Sequence, residues 1–172
     1  MSKLDQATIG LALYENGSEY FGIADVTLPD ISYMTQVIQG AGIGGKIEAV
    51  MQGMTDTMSM TIKFRNASEH SIRLSEPRRH NIDLRIAQQY EDNVAGKTGA
   101  RSLKHILVVI PKSDKGGNIA PASPSDGSGE YAVRYWATYI DGQLVREIDP
   151  FNYICNINGY DYLEDVRKAL GK

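Results

Sequence analysis

Residues Gln39–Arg65 read QGAGIGGKIEAVMQGMTDTMSMTIKFR, and two signals in this run point to different folds. The first is Gly40-x-Gly42-x-x-Gly45, the glycine spacing of a dinucleotide-binding loop. That loop needs a strand before it, a helix after it whose N-terminus takes the pyrophosphate, and an acid about 20 residues on. Here the following segment is interrupted at Gly53 and runs straight into TMSMTIKFR, and Met60–Arg65 contain no acid. The second signal is that last segment. Met58, Met60, Ile62 and Phe64 alternate with Thr57, Ser59, Thr61, Lys63 and Arg65. One side is apolar and the other wet, which is the pattern of a half-buried strand. A β context on both sides removes the helix that a nucleotide loop requires.

Period two recurs along the chain. Ile82, Leu84 and Ile86 alternate with Asp83 and Arg85. The segments around Asn16-Gly17 and Asp141-Gly142 read as hairpins, since these dipeptides suit type I′ turns. LKHILVVIP, Leu103–Pro111, is a β-branched run expected to be buried on both faces. Helical signals are few. NASEHSIRLSEP offers Asn66 or Ser68 as a cap and Pro77 as a stop. At the C-terminus Asp161 and Glu164 approximate a capping box, Leu163, Val166 and Leu170 share a face, and Gly171 stands at a C-cap position. The expectation is one β-rich domain over residues 1–172, with seven or eight strands and two short helices, the second spanning about 161–170. No internal repeat is found. Two stretches are read as irregular: a glycine-rich loop at about 38–53, and a Gly/Pro/Ser-rich loop at 113–129.

Composition narrows the function classes. The 172 residues suit one core, and 18 basic against 21 acidic residues give a net charge of −3, so no basic field marks a nucleic-acid binder. The lone cysteine, Cys155, allows no internal disulfide and lies in the apolar run YICNI, where a buried, inert thiol is expected. No apolar run approaches the roughly 18 residues of a membrane-spanning helix, and the N-terminal MSKLDQATIG lacks a secretory pattern.

The candidate chemistry is thin. His70, His80 and His105 lie on three different elements without metal-ligand spacing, and read as unrelated surface or rim positions. GSGEY around Ser128 lacks the strand and helix of a nucleophile elbow. Glu147 and Asp149 read as strand-edge acids, and the basic cluster EPRRH, Glu76–His80, as facing solvent or a neighbouring subunit. No catalytic residue, cofactor site or metal site is expected.

Three stretches carry a family resemblance: GIADVTLPDISYMTQVIQGAGIGGKIEAV, in which a strand ending in TLP leads to a second strand and the glycine loop; the alternating strand MTIKF; and DGQLVREIDPFNYICNINGYDYLEDVRKALG at the C-terminus. In these the chain resembles the major tail tube proteins of contractile-tailed bacteriophages and of R-type phage-tail-like bacteriocins. The resemblance implies a mainly β, sandwich- or barrel-like tail tube fold with one or two short α-helices. It also implies six copies in a ring, each lending four strands to a continuous inner barrel, with rings stacked into a conduit for DNA ejection. A 24-stranded barrel of strands ~4.8 Å apart and tilted ~40° has a backbone diameter of roughly 48 Å, leaving ~35–40 Å inside the side chains, enough for a duplex. The implied partners are further copies of the chain, a tail sheath, a tape-measure protein, a baseplate tube initiator, a tail terminator and double-stranded DNA in passage, with no membrane. The implied location is the virion, after assembly in the host bacterial cytoplasm. On this reading Gly40, Gly42, Ile43, Gly44, Gly45, Ile47, Val50 and Met51 form an inter-subunit assembly loop. The alternatives are the related tube proteins of type VI secretion and, from another class, a small β-barrel ligand-binding protein using the glycine loop.

Overall fold

A computed structural model describes residues 3–172, so residues 1 and 2 of the expected 1–172 domain lie outside the described residues. Four long antiparallel strands form its centre, in the order β1 (Lys3–Glu15), β7 (His80–Asp92), β8 (Lys97–Lys115) and β9 (Ser128–Ile140). The short β2 (Ser18–Tyr20) returns from the Asn16-Gly17 turn onto the end of β1, pairing Leu13 with Tyr20. Beyond β9 the sheet continues through β10 (Gln143–Asp149), β11 (Ile154–Ile157) and β12 (Tyr160–Asp161).

The sheet branches along β9. Trp136–Ile140 pairs with β10, whereas Ser128–Val133 pairs with β6 (Met58–Phe64), which in turn carries β3 (Ile23–Thr27). Between the two halves Tyr135 faces Val108 and Val133 faces Val109, so Arg134 is an extra residue on β9. Such a bulge bends the strand and lets its two halves serve two layers. Because β2 runs directly into β3, the circuit β1–β2/β3–β6–β9–β8–β7 is completed by the chain itself, giving a barrel-like sandwich.

The interior follows from the alternation. Leu13, Met58, Met60, Ile62, Phe64, Ile82, Leu84, Leu107, Val109, Tyr131 and Trp136 are all buried in one cluster. Each fully buried apolar side chain of this size contributes about 1.5–3 kcal/mol relative to exposure. α1 (Glu69–Leu74) adds Leu74 to the cluster. Its N-cap is Ser68, whose hydroxyl accepts from the Ser71 amide at 3.2 Å while Ser71 Oγ accepts from the Ser68 amide at 2.9 Å.

The expectation of seven or eight strands undercounts the twelve formed among the described residues. Strands of two to four residues, such as β2, β11 and β12, are too short to display a period. The loop expected at 113–129 is also narrower, because Ser113, Asp114 and Lys115 continue β8 against Glu130, Gly129 and Ser128. α2 spans Glu164–Ala169 within the expected 161–170, with Leu163 as its N-cap and no side-chain cap bond. Asp161 acts from one turn earlier, accepting the Leu163 amide at 3.0 Å and pairing with Arg167 at 2.6 Å.

The histidine reading needs a larger correction, since His80 and His105 are buried rather than at the rim. His80 finds partners for both ring nitrogens there, whereas His105 finds them for Nδ1 and keeps Nε2 buried without one. His80 Nδ1 lies 2.8 Å from Glu15 Oε1 and Nε2 lies 3.0 Å from the Glu76 carbonyl oxygen. Tyr20 and Arg78 also donate to Glu15, at 2.5 and 3.0 Å. The cluster EPRRH therefore turns partly inward, with Arg78 tied to both Glu76 and Glu15. Burial alone would raise the Glu15 pKa, but the hydrogen bonds from Tyr20, His80 and Arg78 outweigh it and hold the carboxyl below its ordinary 4.5.

His105 sits between Thr138 Oγ1, 3.0 Å from Nδ1, and Trp136, whose indole N–H donates to Nδ1 at 3.1 Å. Burial, with the nearby Arg146 charge, pushes its pKa from 6.5 down to about 4. The folded protein keeps this ring neutral while the unfolded chain takes up a proton below pH 6.5, so its contribution is complete above 6.5 and is lost between 6.5 and 4. Unfolding by denaturant at pH 7.5 and at pH 4 should differ by roughly 2–3 kcal/mol from this residue. The variant His105→Gln, less stable throughout, should lose much less than the parent over the same interval; an equal loss would contradict the assignment. Below pH 4.5 the parent should lose a further increment as Glu15 protonates.

Candidate assembly surface

The glycine-rich stretch forms the tip of a separate two-stranded ribbon, β4 (Tyr33–Ile38) paired with β5 (Ile47–Thr55). Only residues 39–46 form the connecting loop, holding Gly40, Gly42, Ile43, Gly44 and Gly45; Ile47, Val50 and Met51 lie on β5. The expected irregular stretch at 38–53 is thus half strand. Ile38 faces Ile47 and Gln36 faces Ala49, and the ribbon carries apolar groups on both faces, which hides the period of two. A strand and not a helix follows the glycines, so the N-terminus that would hold a pyrophosphate is replaced by β5.

A Cβ added at Gly40, Gly42, Gly44 or Gly45 would meet nothing within 4 Å, and of these only Gly42 has a left-handed backbone, at φ +89°. No close approach inside the subunit explains the four glycines. Along the ribbon Met34, Val37, Ile38, Ile47, Val50 and Met54 are each between 44% and 59% exposed, an apolar surface left in water.

The root of the ribbon is fixed. Tyr33 faces Thr55 and Thr35 faces Val50, so the four residues Met51–Met54 oppose Met34 alone, an enlarged bulge. Within it Gly53 is buried at φ +79°, and a Cβ there would stand 2.7 Å from Leu163 Cγ and 3.4 Å from Cys155 Cβ. Gly53, read above as part of the loop, is a pivot that seats β5 on β11 and the start of α2. Cys155 is buried as expected, and burial pushes its thiol pKa up. The Glu147 carboxylate, read as a solvated edge acid, accepts from the Tyr135 hydroxyl at 2.9 Å.

A second surface gives no signal in the sequence. β7 and β8 run past the core as the polar stretch AQQYEDNVAGKTGARS, which shows no alternation and gives no strand signal. With the N-terminal part of β1 they form a three-stranded arm. β2 covers β1 only from Leu13 to Glu15, so the outer edge of Lys3–Ala12 has no strand beside it among the described residues. On the other side β9 begins its pairing with β8 at Leu103 and Asp141 bonds both backbone groups of Ser102, which leaves the edge of Lys97–Arg101 open. Two bulges, between Asp5 and Ala7 and between Thr8 and Gly10, interrupt β1, and Leu4 and Ile9 are 55% and 62% exposed. Open edges of this length are templates for pairing with another chain.

A mainly β molecule whose most distinctive features are open strand edges and an apolar ribbon belongs with the structural proteins that work through contacts with other chains. The chain belongs to the phage tail tube protein FII family, whose model matches residues 5–171. It is 25% identical over 162 residues to the tail tube protein of Escherichia phage P2, covering 92% of this chain and 93% of that one. A chain in the cryo-EM structure of an extracellular contractile injection system, the PVC sheath/tube terminator in the extended state, shares the fold with a TM-score of 0.52 at 13% identity, covering 76% of this chain and 94% of that chain. The protein is a structural component of a contractile phage tail, a tail tube protein.

The pivot gives a sharp contrast among the glycines. Gly53→Val places a β-branched side chain at positive φ and against Leu163, and should lower stability by about 2 kcal/mol or more. Gly44→Val, in open space, should leave the melting temperature of the subunit unchanged. Thermal unfolding of both variants followed by circular dichroism checks this, and equal melting temperatures would remove Gly53 from its role.

Proposed function

We propose that the protein forms rings of six that stack into the inner tube of the tail, a conduit for double-stranded DNA, and that it has no catalytic activity. The observation that carries this reading is the pair of open edges on the arm. They lie on opposite sides of one three-stranded sheet, so an edge of β1 in one copy meets an edge of β8 in the next. A contact between two different surfaces of the same molecule is heterologous, and it closes into a ring when the rotation allows. Closure satisfies the edge groups that a lone subunit leaves to water. The number six, the sheath, tape-measure, initiator and terminator partners, and assembly in the bacterial cytoplasm before incorporation in the virion follow the resemblance to the family.

The ribbon serves the same assembly, with Gly40, Gly42, Ile43, Gly44, Gly45, Ile47, Val50 and Met51 settling against a neighbouring copy. Gly42→Val with Gly44→Val should fold normally apart from modest strain at Gly42, since neither position has a neighbour within 4 Å, yet should block tube growth. Circular dichroism and melting test the first half, and electron microscopy with light scattering at high concentration tests the second. Tubes indistinguishable from the parent's would overturn the role of the ribbon, and a parent that stays monomeric even with a tube initiator would overturn the ring.

A further inference from the structure

The strand registers divide the central sheet into two faces. One bears Leu13, Leu84, His105 and Thr138 in one row and Leu11, Ile86, Leu103 and Ile140 in the next. The layer of β3, β6 and α1 packs on this side, through the cluster that includes Leu13 and Leu84. No strand or helix is packed on the opposite face among the described residues, and only the turn at Pro150–Asn152 borders it, beside Val108 and Tyr135. Its rows are Tyr14–Asp83–Ile106–Ala137, then Ala12–Arg85–Lys104–Tyr139, then Gly10–Ala87–Ser102, then Ala7–Gln89–Ala100.

In a ring closed through the β1 and β8 edges this sheet is the wall. Its second layer needs room, and a curved wall has more room outside than inside, so the uncovered face looks inward. In these rows every side chain is neutral except those of one cluster. Asp83 Oδ2 accepts from Arg85 Nη2 at 3.0 Å and Nε at 3.3 Å, and Lys104 Nζ stands 3.6 Å from the same oxygen. The Arg85 guanidinium lies 4.5 Å from the centre of the Tyr14 ring, a cation–π contact that keeps it near the wall. The other carboxylates on this face are Glu91, which accepts from Gln6, Glu147, which accepts from Tyr135, and Asp149, which accepts from the Phe151 and Asn152 amides. Asp83 is the carboxylate that meets the two cations.

We infer that this face lines the lumen, and that Asp83 acts as a charge mask which stops Arg85 and Lys104 from gripping the phosphates of passing DNA. The inference rests on the tube reading above. Every ring repeats the cluster in each copy, so an unmasked pair would make a belt of cations, and phosphate neutralisation by such belts is what makes DNA binding strong and salt-dependent.

The test uses assembled tubes of the full chain. Tubes of Asp83→Asn, incubated with a short fluorescent DNA duplex and pelleted, should retain on the order of tenfold more DNA than parent tubes and release it as salt is raised, whereas Asp83→Glu tubes should match the parent. Retention by Asp83→Asn no greater than the parent's would overturn the mask. The wall assignment has its own readout, which needs no change at Asp83. In tubes, Ala100→Cys should react with a small maleimide but not with a maleimide carried on a globular protein too wide for the lumen, while Ile72→Cys on α1, 64% exposed in the subunit, should react with both. Reaction of Ala100→Cys with the wide reagent would overturn the lumen assignment while leaving the tube intact, and a parent that forms no tubes would overturn the tube reading and this inference with it.

Discussion

A strand's backbone has an N–H and a C=O group pointing sideways at every residue other than proline, and each of these groups must be paired or left to water. Most of this molecule is arranged around that requirement. β9 is flanked by β8 along one side and by β6 and then β10 along the other, and the bulge at Arg134 makes the change of partner possible. The turn from β2 into β3 closes the circuit covalently where no ladder does so. What is left over is concentrated on the arm, where β1 and β8 each present an open edge. A protein that worked alone would blunt such edges more fully than two bulges in β1 do. The edges therefore connect the fold to assembly more directly than any pocket or titratable group.

The same alternation that builds the core also divides labour between surfaces. Along β7, Leu84 turns inward while Asp83 and Arg85 turn outward, so each residue placed for burial fixes two neighbours on the uncovered face. The buried polar residues each find at least one partner, although His105 Nε2 has none. Glu15 and His80 join the β1–β2 turn to the segment after α1, and Arg78 closes the cluster from the surface. Breaking one partner of such a group leaves a buried charge exposed to the full desolvation cost, which makes the cluster a fastening at that corner.

The fold class was legible because the strands around the core are half buried, and half burial imprints period two. MTIKF and IDLRI display it directly, and Asn16-Gly17 and Asp141-Gly142 supply two of the turns, each with the positive φ at its first residue that such turns require. The arm was not legible, because Gln88–Ser102 is wet on both faces in a free subunit and a strand without a dry face has no hydrophobic period. The ribbon failed for the opposite reason, with apolar residues on both faces and five glycines masking β5 as loop. His80 and His105 were misplaced because a sequence does not say which distant acceptor will meet a ring nitrogen. Nor could Gly53 be told from Gly44, since one touches Leu163 and the other touches nothing, and that difference is purely tertiary.

In the proposed tube the ribbon's composition suits what assembly would ask of it. Fixing a backbone residue costs on the order of 1–2 kcal/mol, and glycine has the most freedom to lose. A tip of four glycines is thus an expensive segment to order on its own. The offset comes from the flanking strands, where burial of Ile47, Val50 and the half-exposed Met34 and Val37 against a neighbour contributes up to about 1.5–3 kcal/mol for each side chain fully covered. These two quantities are comparable, so in the proposed tube the tip orders when a neighbour covers the ribbon and remains free when none does. Gly53 separates that freedom from the body, because its seat against Leu163 and Cys155 fixes where the ribbon starts while the glycines leave open how it ends. In that tube a subunit would keep its fold independent of its neighbours and let the neighbour complete only the contact.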